Sequence, residues 1–304
     1  FDSARLHNPH LTPDHETWRA QLRKFLDREV APFLEEWDEN AKIPDELWAK
    51  AAKIGLLQVG YPEAYGGISD GIDQHYINIT GEELGRIGSA GGVASTLLIH
   101  GIGLPPVVNF SNDEIKKLVI PAVLAGEKRI SLGITEPSGG SDVANIKTTA
   151  KKEGDFYIVN GSKTFISGGM GANWVSTAVR TGDEGAAGVS MLLIPMDLHG
   201  VSRTPLTKKQ GWLCSDTATL YFDNVKVPTK YLIGKEGQGF RVIMNNFNSE
   251  RIAMVVSMEA SSRCCLEEAV NWARERQTFG HRLADHQVIR HKIATMKQRI
   301  NATQ

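Results

Sequence analysis

Four stretches of this sequence carry side chains able to do chemistry. The first is LGITEPSGGSDVANI, 132–146, where glycines alternate with Thr135, Glu136, Ser138, Ser141 and Asp142. Backbone N–H groups and hydroxyls are dense here, and glycine lets a backbone approach a planar ring or a phosphate closely. By composition alone, a surface turn is the plainer reading. The second is DFYIVNGSKTFISGG, 155–169, with Phe165 and Ser167; taken alone, Phe165 is an inward residue of a strand. The third is FNSERIAM, 247–254, where Glu250 stands directly before Arg251. A carboxylate there can take a proton, but a glutamate in the first turn of a helix is also stabilised by the macrodipole and common for that reason. The fourth is ERQTFGHRL, 275–283, followed by His286 and Gln287. The fork of Arg276 suits a pyrophosphate, and it equally suits a helix end beside a glycine stop at Gly280.

The elements that must position these residues fall in the order helical, β, helical. Thr12 as N-cap and Pro13 at the first position open a helical region reaching about residue 58, with Trp18, Leu22, Phe25, Leu26 and Val30 at three-to-four spacing. A second helix follows Pro44 and stops near Gly55, a third is expected over 76–87, and a fourth near Asp113, where Ser111 and Glu114 have capping-box spacing. Near Ile130 the apolar period becomes alternating, and 155–167 reads as two strands joined by Asn160-Gly161, a strong hairpin signal. More β-rich runs follow at 174–180, 188–195 and 218–227. From Gly237 the helical period returns, with a long helix predicted over 249–276 and another carrying Ile289, Ile293, Met296 and Ile300 on one face.

With 304 residues the chain exceeds one ordinary core, so two or three packed units are expected. Its 34 Lys and Arg against 35 Asp and Glu leave no general field to attract nucleic acid or a membrane surface. No run reaches the ~20 apolar residues of a bilayer span. Cys214, Cys264 and Cys265 cannot build a disulfide framework, which suggests a reducing compartment, and they show no metal-ligand spacing. The start at Phe1 and the end at Gln304, inside a helical pattern, lead us to expect missing residues at one or both ends.

Five segments taken together go beyond composition. ITEPSGGSD, DFYIVNGSKTFISGG, SDTATLYFDNVKVP, GKEGQGF and ERQTFGHRL with His286-Gln287 resemble the acyl-CoA dehydrogenase family, in family order and over nearly the whole chain. The resemblance implies an α+β fold: a helical N-terminal domain over 1–128, a middle β-barrel-like domain over 129–233, and a C-terminal helical bundle over 234–304, incomplete here. It implies FAD between the β domain and the bundle. Leu132, Ile134, Thr135, Gly140, Ser141, Phe165, Ile166 and Ser167 match positions around the flavin, Ser141 also facing the thioester. Arg276, Gln277, Thr278, Phe279, His286 and Gln287 match the stretch that reaches the FAD of a neighbouring subunit in the family.

The same resemblance implies α,β-dehydrogenation of an acyl-CoA, with the α proton leaving in concert with a β hydride. The thioester carbonyl is held, in this family, by the flavin ribityl chain and a backbone amide. The family places its base either late in the bundle or just before an arginine on the long helix. Glu250 occupies the second position, as in the branch with the isovaleryl-CoA and long-chain enzymes. Phe247, Asn248, Ser249 and Arg251 match residues near the ligand. Leu213, in GWLCSDT, stands where many members carry arginine, and the helix containing Ser95, Thr96, Leu97 and His100 is expected to line the acyl pocket, His100 in a structural role. The implied partners are electron-transfer flavoprotein and further copies of the chain, as a tetramer or dimer; the expected compartment is the cytoplasm, with the mitochondrial matrix as alternative. A flavin monooxygenase of similar fold and a non-catalytic acyl-CoA-binding protein are the rival readings; Glu250 argues against the first, and the intact signature with Phe165 against the second.

Overall fold

A computed structural model of the chain describes residues 1–88 and 91–304, apart from the side chains of Asn248 and Ser249. The helices before the sheet are α1 (Pro13–Glu29), α2 (Leu34–Glu39), α3 (Glu46–Lys53), α4 (Gln74–Arg86), α5 (Gly91–Leu97), α6 (His100–Gly103), α7 (Pro105–Phe110) and α8 (Asp113–Leu124). The strands are β1 (Ile130–Gly133), β2 (Thr149–Glu153), β3 (Phe156–Ser167), β4 (Trp174–Arg180), β5 (Val189–Pro195), β6 (Val201–Pro205), β7 (Thr217–Pro228) and β8 (Leu232–Ile233). Helix α9 (Gly239–Glu275), a short hairpin of β9 (Gln277–Thr278) and β10 (His281–Arg282), and α10 (Gln287–Thr303) complete the chain. Two compact units result, one of Phe1–Pro32, Asp73–Gly91 and Arg251–Gln304, the other of Phe33–Ile72 and Gly92–Glu250.

The second unit is built on one sheet of order β6-β7-β3-β2-β4-β5-β8, with β1 pairing in parallel to β4. Alternation along β5 sends Met191 and Leu193 to one face and Leu192 and Ile194 to the other, each into its own core. The first face packs against α7, α8, the 134–146 loop, and Val242 and Ile243 of α9. Both faces of these central strands are covered: β5 is buried along its whole length and β4 from Val175 to Val179, Ser176 and Thr177 included.

The first unit joins α1 and α4 through charge. Glu83, fully buried, accepts from Arg19 (3.2 Å), twice from Arg23 (2.8 and 2.7 Å) and from Arg86 (3.0 Å). Burial raises the Glu83 carboxyl, but these guanidinium groups outweigh it and hold it below the usual range. Leu266 of α9 and Ile300 of α10 form a small core with Ala4, flanked by Ile293 and Met296 as their spacing predicts.

Several local expectations are met. Thr12 caps α1, and His15 returns the bond in a capping box. Three are overturned. Asn112, not Ser111, caps α8: its Oδ1 accepts from the Ile115 N–H at 3.0 Å, and Ser111 sits one residue too early. Asn160-Gly161 is no hairpin. The turn lies at Gly154, φ 58°, between β2 and β3, and β3 runs on through a bulge at Gly161. A Cβ at Gly161 would stand 2.7 Å from the Thr148 Cα, so glycine is needed there for close backbone approach. Helix α9 begins at Gly239, ten residues before the expected start at Ser249. The Asn-rich stretch lowers propensity, and burial of Val242 and Ile243 overrides it.

Candidate functional site

A cavity of about 190 Å³ opens in the second unit, and its walls come from four places in the sequence. Leu132, Ile134, Thr135, Gly140 and Val143 come from the end of β1 and the glycine-rich loop. Phe165, Ile166 and Ser167 come from the end of β3. Ile99 and Ile102 lie at α6, and Phe247 and Glu250 on α9. Residues three apart share a helix face, so Phe247 and Glu250 enter together. The Asn246 amide donates to the Ile102 carbonyl at 2.9 Å and fixes this turn of α9 against α6.

The backbone around the cavity is tied by charge and by strain. Phe165 has φ 58°, a left-handed conformation that is an outlier for a bulky residue, and its ring is 62 % exposed. The Thr164 N–H donates to the Thr135 carbonyl at 2.8 Å, joining the loop to β3. Beyond Ser167, Asp216 accepts the N–H groups of Met170 and Gly171 at 3.2 and 2.9 Å, and burial pushes its carboxyl up. Arg203 donates to the carbonyls of Gly169 (3.0 Å), Met170 (2.6 Å), Ala172 (3.1 Å) and Met196 (3.2 Å). Glu136 stood out in the glycine-rich stretch, but its partner Lys163 did not, and neither did Arg203; the place of Lys163 within the 155–169 segment was the one available signal.

The expected site residues divide into groups. Leu132, Ile134, Thr135, Gly140, Phe165, Ile166, Ser167, Phe247 and Glu250 meet at the cavity. Ser141 and Arg251 are exposed and do not line it. The expected ligand contacts of Asn248 and Ser249 lie outside the described residues. Arg276, Thr278, Phe279, His286 and Gln287 belong to the first unit, on the β9–β10 hairpin and the start of α10. There Thr278 Oγ1 and His286 Nε2 are 3.0 Å apart, and Phe279, φ 51°, is 95 % exposed.

Two expectations about the site need correction. Ser95, Thr96, Leu97 and His100 do not line the cavity; Ser95 and Thr96 bond to Ser215, and Ile99 and Ile102 take the expected place. Their positions on short, bent helices hid which side chains turn inward. Glu250 is not in a first turn either: it follows Gly239 by 250 − 239 = 11 residues, about three turns along α9. The macrodipole acts within the first turn, so it neither explains Glu250 nor tunes it. Half-buried, Glu250 lines the cavity together with the apolar side chains of Ile99, Ile102 and Phe247 and the hydroxyls of Thr135 and Ser167.

Three family models match the chain, the acyl-CoA dehydrogenase N-terminal domain over residues 12–127, the middle domain over 131–225 and the C-terminal domain over 237–304. A mitochondrial long-chain specific acyl-CoA dehydrogenase of Sus scrofa is 34 % identical over 296 residues, 96 % of this chain and 68 % of that protein. The crystal structure of a probable acyl-CoA dehydrogenase from Mycobacterium abscessus is 43 % identical at a TM-score of 0.92, covering 96 % of this chain and 77 % of that one. An acyl-CoA dehydrogenase of Bacillus anthracis complexed with FAD is 30 % identical at a TM-score of 0.88, over 99 % of this chain and 51 % of that one.

The chain belongs to the acyl-CoA dehydrogenase family. It is an FAD-dependent oxidoreductase that dehydrogenates acyl-CoA at a CH–CH bond. The cavity fits that cofactor. It offers an aromatic face held outward by its backbone, two hydroxyls on Thr135 and Ser167, and a glycine at 140 where a Cβ would press within 3.2 Å of the Thr135 side chain. These are partners for a flat ring with a polar edge. Among the described residues no single helix is long and apolar enough to cross a membrane.

Proposed function

We propose that Glu250 is the base that takes the α proton of the bound acyl-CoA, yielding the trans-2-enoyl-CoA. The observation that carries this reading is the meeting of Glu250 with Phe165, Thr135 and Ser167 around one cavity. FAD, when bound, supplies the acceptor for the β hydride and its electron pair. The carboxylate of Glu250 gains the α proton and becomes a carboxylic acid. Ile99, Ile102, Val143 and Phe247 exclude water beside it and receive the acyl chain. Leu132, Ile134, Gly140 and Ile166 bound the ring, while the Thr135 and Ser167 hydroxyls donate toward its polar edge. Ser141, Asn248, Ser249 and Arg251 serve the thioester end of the ligand. Arg276, Thr278, Phe279, His286 and Gln287 serve the FAD of a neighbouring copy in a homo-oligomer, dimer or tetramer. The 95 % exposure of Phe279 supports that role, since a strained backbone holding a ring in water suits a partner surface. Electron-transfer flavoprotein is the acceptor, the substrate is a fatty or branched acyl-CoA, and the compartment is the cytoplasm or a mitochondrial matrix.

The test mixes the flavin-loaded protein anaerobically with straight and branched acyl-CoAs, beside Glu250→Gln. Bleaching of the flavin band by one chain class in the wild type, with a loss of at least about 100-fold in rate for the variant, is the expected result. Bleaching in both proteins would move the base to another group. Bleaching in neither would leave a monooxygenase or an acyl-CoA-binding protein.

A further inference from the structure

Thr135 and Phe165 are flanked by a buried ion pair. Glu136 follows Thr135, Lys163 precedes Phe165 by two residues, and Nζ lies 2.8 Å from Oε1 with the two side chains 0 % and 3 % exposed. Lys163 Nζ also donates to the Ile134 carbonyl at 3.0 Å. The Glu136 carboxylate accepts the N–H groups of Lys147 (2.5 Å) and Thr148 (2.9 Å). One ion pair therefore clamps the start of the glycine-rich loop, the residues just after its end and the C-terminal part of β3 together. Burial lowers the Lys163 ammonium, so its charge is kept here against a desolvation cost.

Apolar residues of the same volume stabilise a fold as well as a buried pair or better, so stability alone gives weak reason for one here. Direction does. Packed methylenes do not aim a carbonyl, whereas these bonds fix the Ile134 carbonyl and two amides at named oxygens and nitrogens. We propose that Lys163 and Glu136 are positioning residues for FAD, their ion pair holding Phe165 in its left-handed conformation and Thr135 in the cavity wall. The inference rests on the assignment of FAD to this cavity.

The test compares Lys163→Met, the double variant Glu136→Gln/Lys163→Met, Phe165→Ala and Val225→Ala. The double variant leaves no unpaired buried charge, so it keeps the test readable even if the single variant does not fold. Val225 is a fully buried residue of β7, in the core that excludes the loop, and serves as a control for destabilisation. Three quantities are read: FAD affinity of the apoprotein by quenching of flavin fluorescence, visible circular dichroism of the bound flavin, and the urea midpoint of the apoprotein. Both Lys163 variants should bind FAD about tenfold more weakly, ~1.4 kcal/mol, with an altered dichroic band. Val225→Ala should unfold at lower urea yet bind FAD as the wild type does. Wild-type affinity and dichroism in the double variant, with loss in Phe165→Ala, would overturn the positioning role and leave the cavity assignment standing. An equal loss in Val225→Ala would reduce the effect to stability and overturn it too. If Phe165→Ala itself binds FAD normally, the cavity assignment falls and takes the positioning role with it.

Discussion

Glycine at position 165 should leave the apoprotein more stable than alanine does, the reverse of the usual ranking. Phe165 sits at φ 58°, where the Cβ of an L residue crowds the following carbonyl at a cost of ~1–2 kcal/mol. Alanine keeps that Cβ and glycine removes it, while glycine loses ~0.5–1 kcal/mol through the greater freedom of its unfolded chain. Both variants delete the same ring, already 62 % exposed, so the lost burial cancels between them. The remainder favours glycine by about 0.5–1 kcal/mol, or roughly 1–4 °C in Tm. At an extended or helical position the same comparison favours alanine. Urea unfolding of the two apoproteins measures the difference, and FAD titration should show both binding more weakly than the wild type. Greater stability of Phe165→Ala would mean that the backbone is relaxed there, and the case for a ring held out under strain to meet a cofactor would be refuted.

Two further outcomes follow from buried charge. Burial pulls His100 down to about 4 from 6.5, against hydrogen bonds involving Leu57 and Leu97. Between those values the unfolded chain binds more protons, so this part of the stability is present above pH 6.5 and is lost as pH falls toward 4, by roughly 3 kcal/mol. His100→Asn should be less stable than the wild type at pH 7, with the gap closing on acidification; parallel stability–pH curves would show that His100 binds its proton equally well in the folded and unfolded chain, and would refute the burial argument. Glu83→Gln leaves Arg19, Arg23 and Arg86 facing an amide, and the first unit should lose ~3–5 kcal/mol, read by calorimetry and by earlier proteolysis of α1. A loss under about 1 kcal/mol would show that the remaining carboxylates take over its part.

What the sequence determined by itself is what short-range physics decides. The cap at Thr12 and Pro13 needs only the first turn of one helix. The runs of β4, β5 and β7 show in their β-rich composition, and the glycine-rich loop, Phe165, Ser167 and Glu250 were legible as segments. Tertiary structure decided the rest. Asn160-Gly161 carries a hairpin signal, but Thr148 approaching from 13 residues away turns the glycine into a point of close contact within one strand. The start of α9 depends on a core that accepts Val242 and Ile243, which no window of propensity contains. The same extension carries Glu250 from a helix end into a cavity wall and removes the macrodipole from its chemistry. Glu136 and Lys163 are 27 residues apart, and nothing in either segment names the other as its partner. Only the fold makes them partners, because a buried charge requires its counter-charge at hydrogen-bonding distance and the sequence does not encode that distance locally.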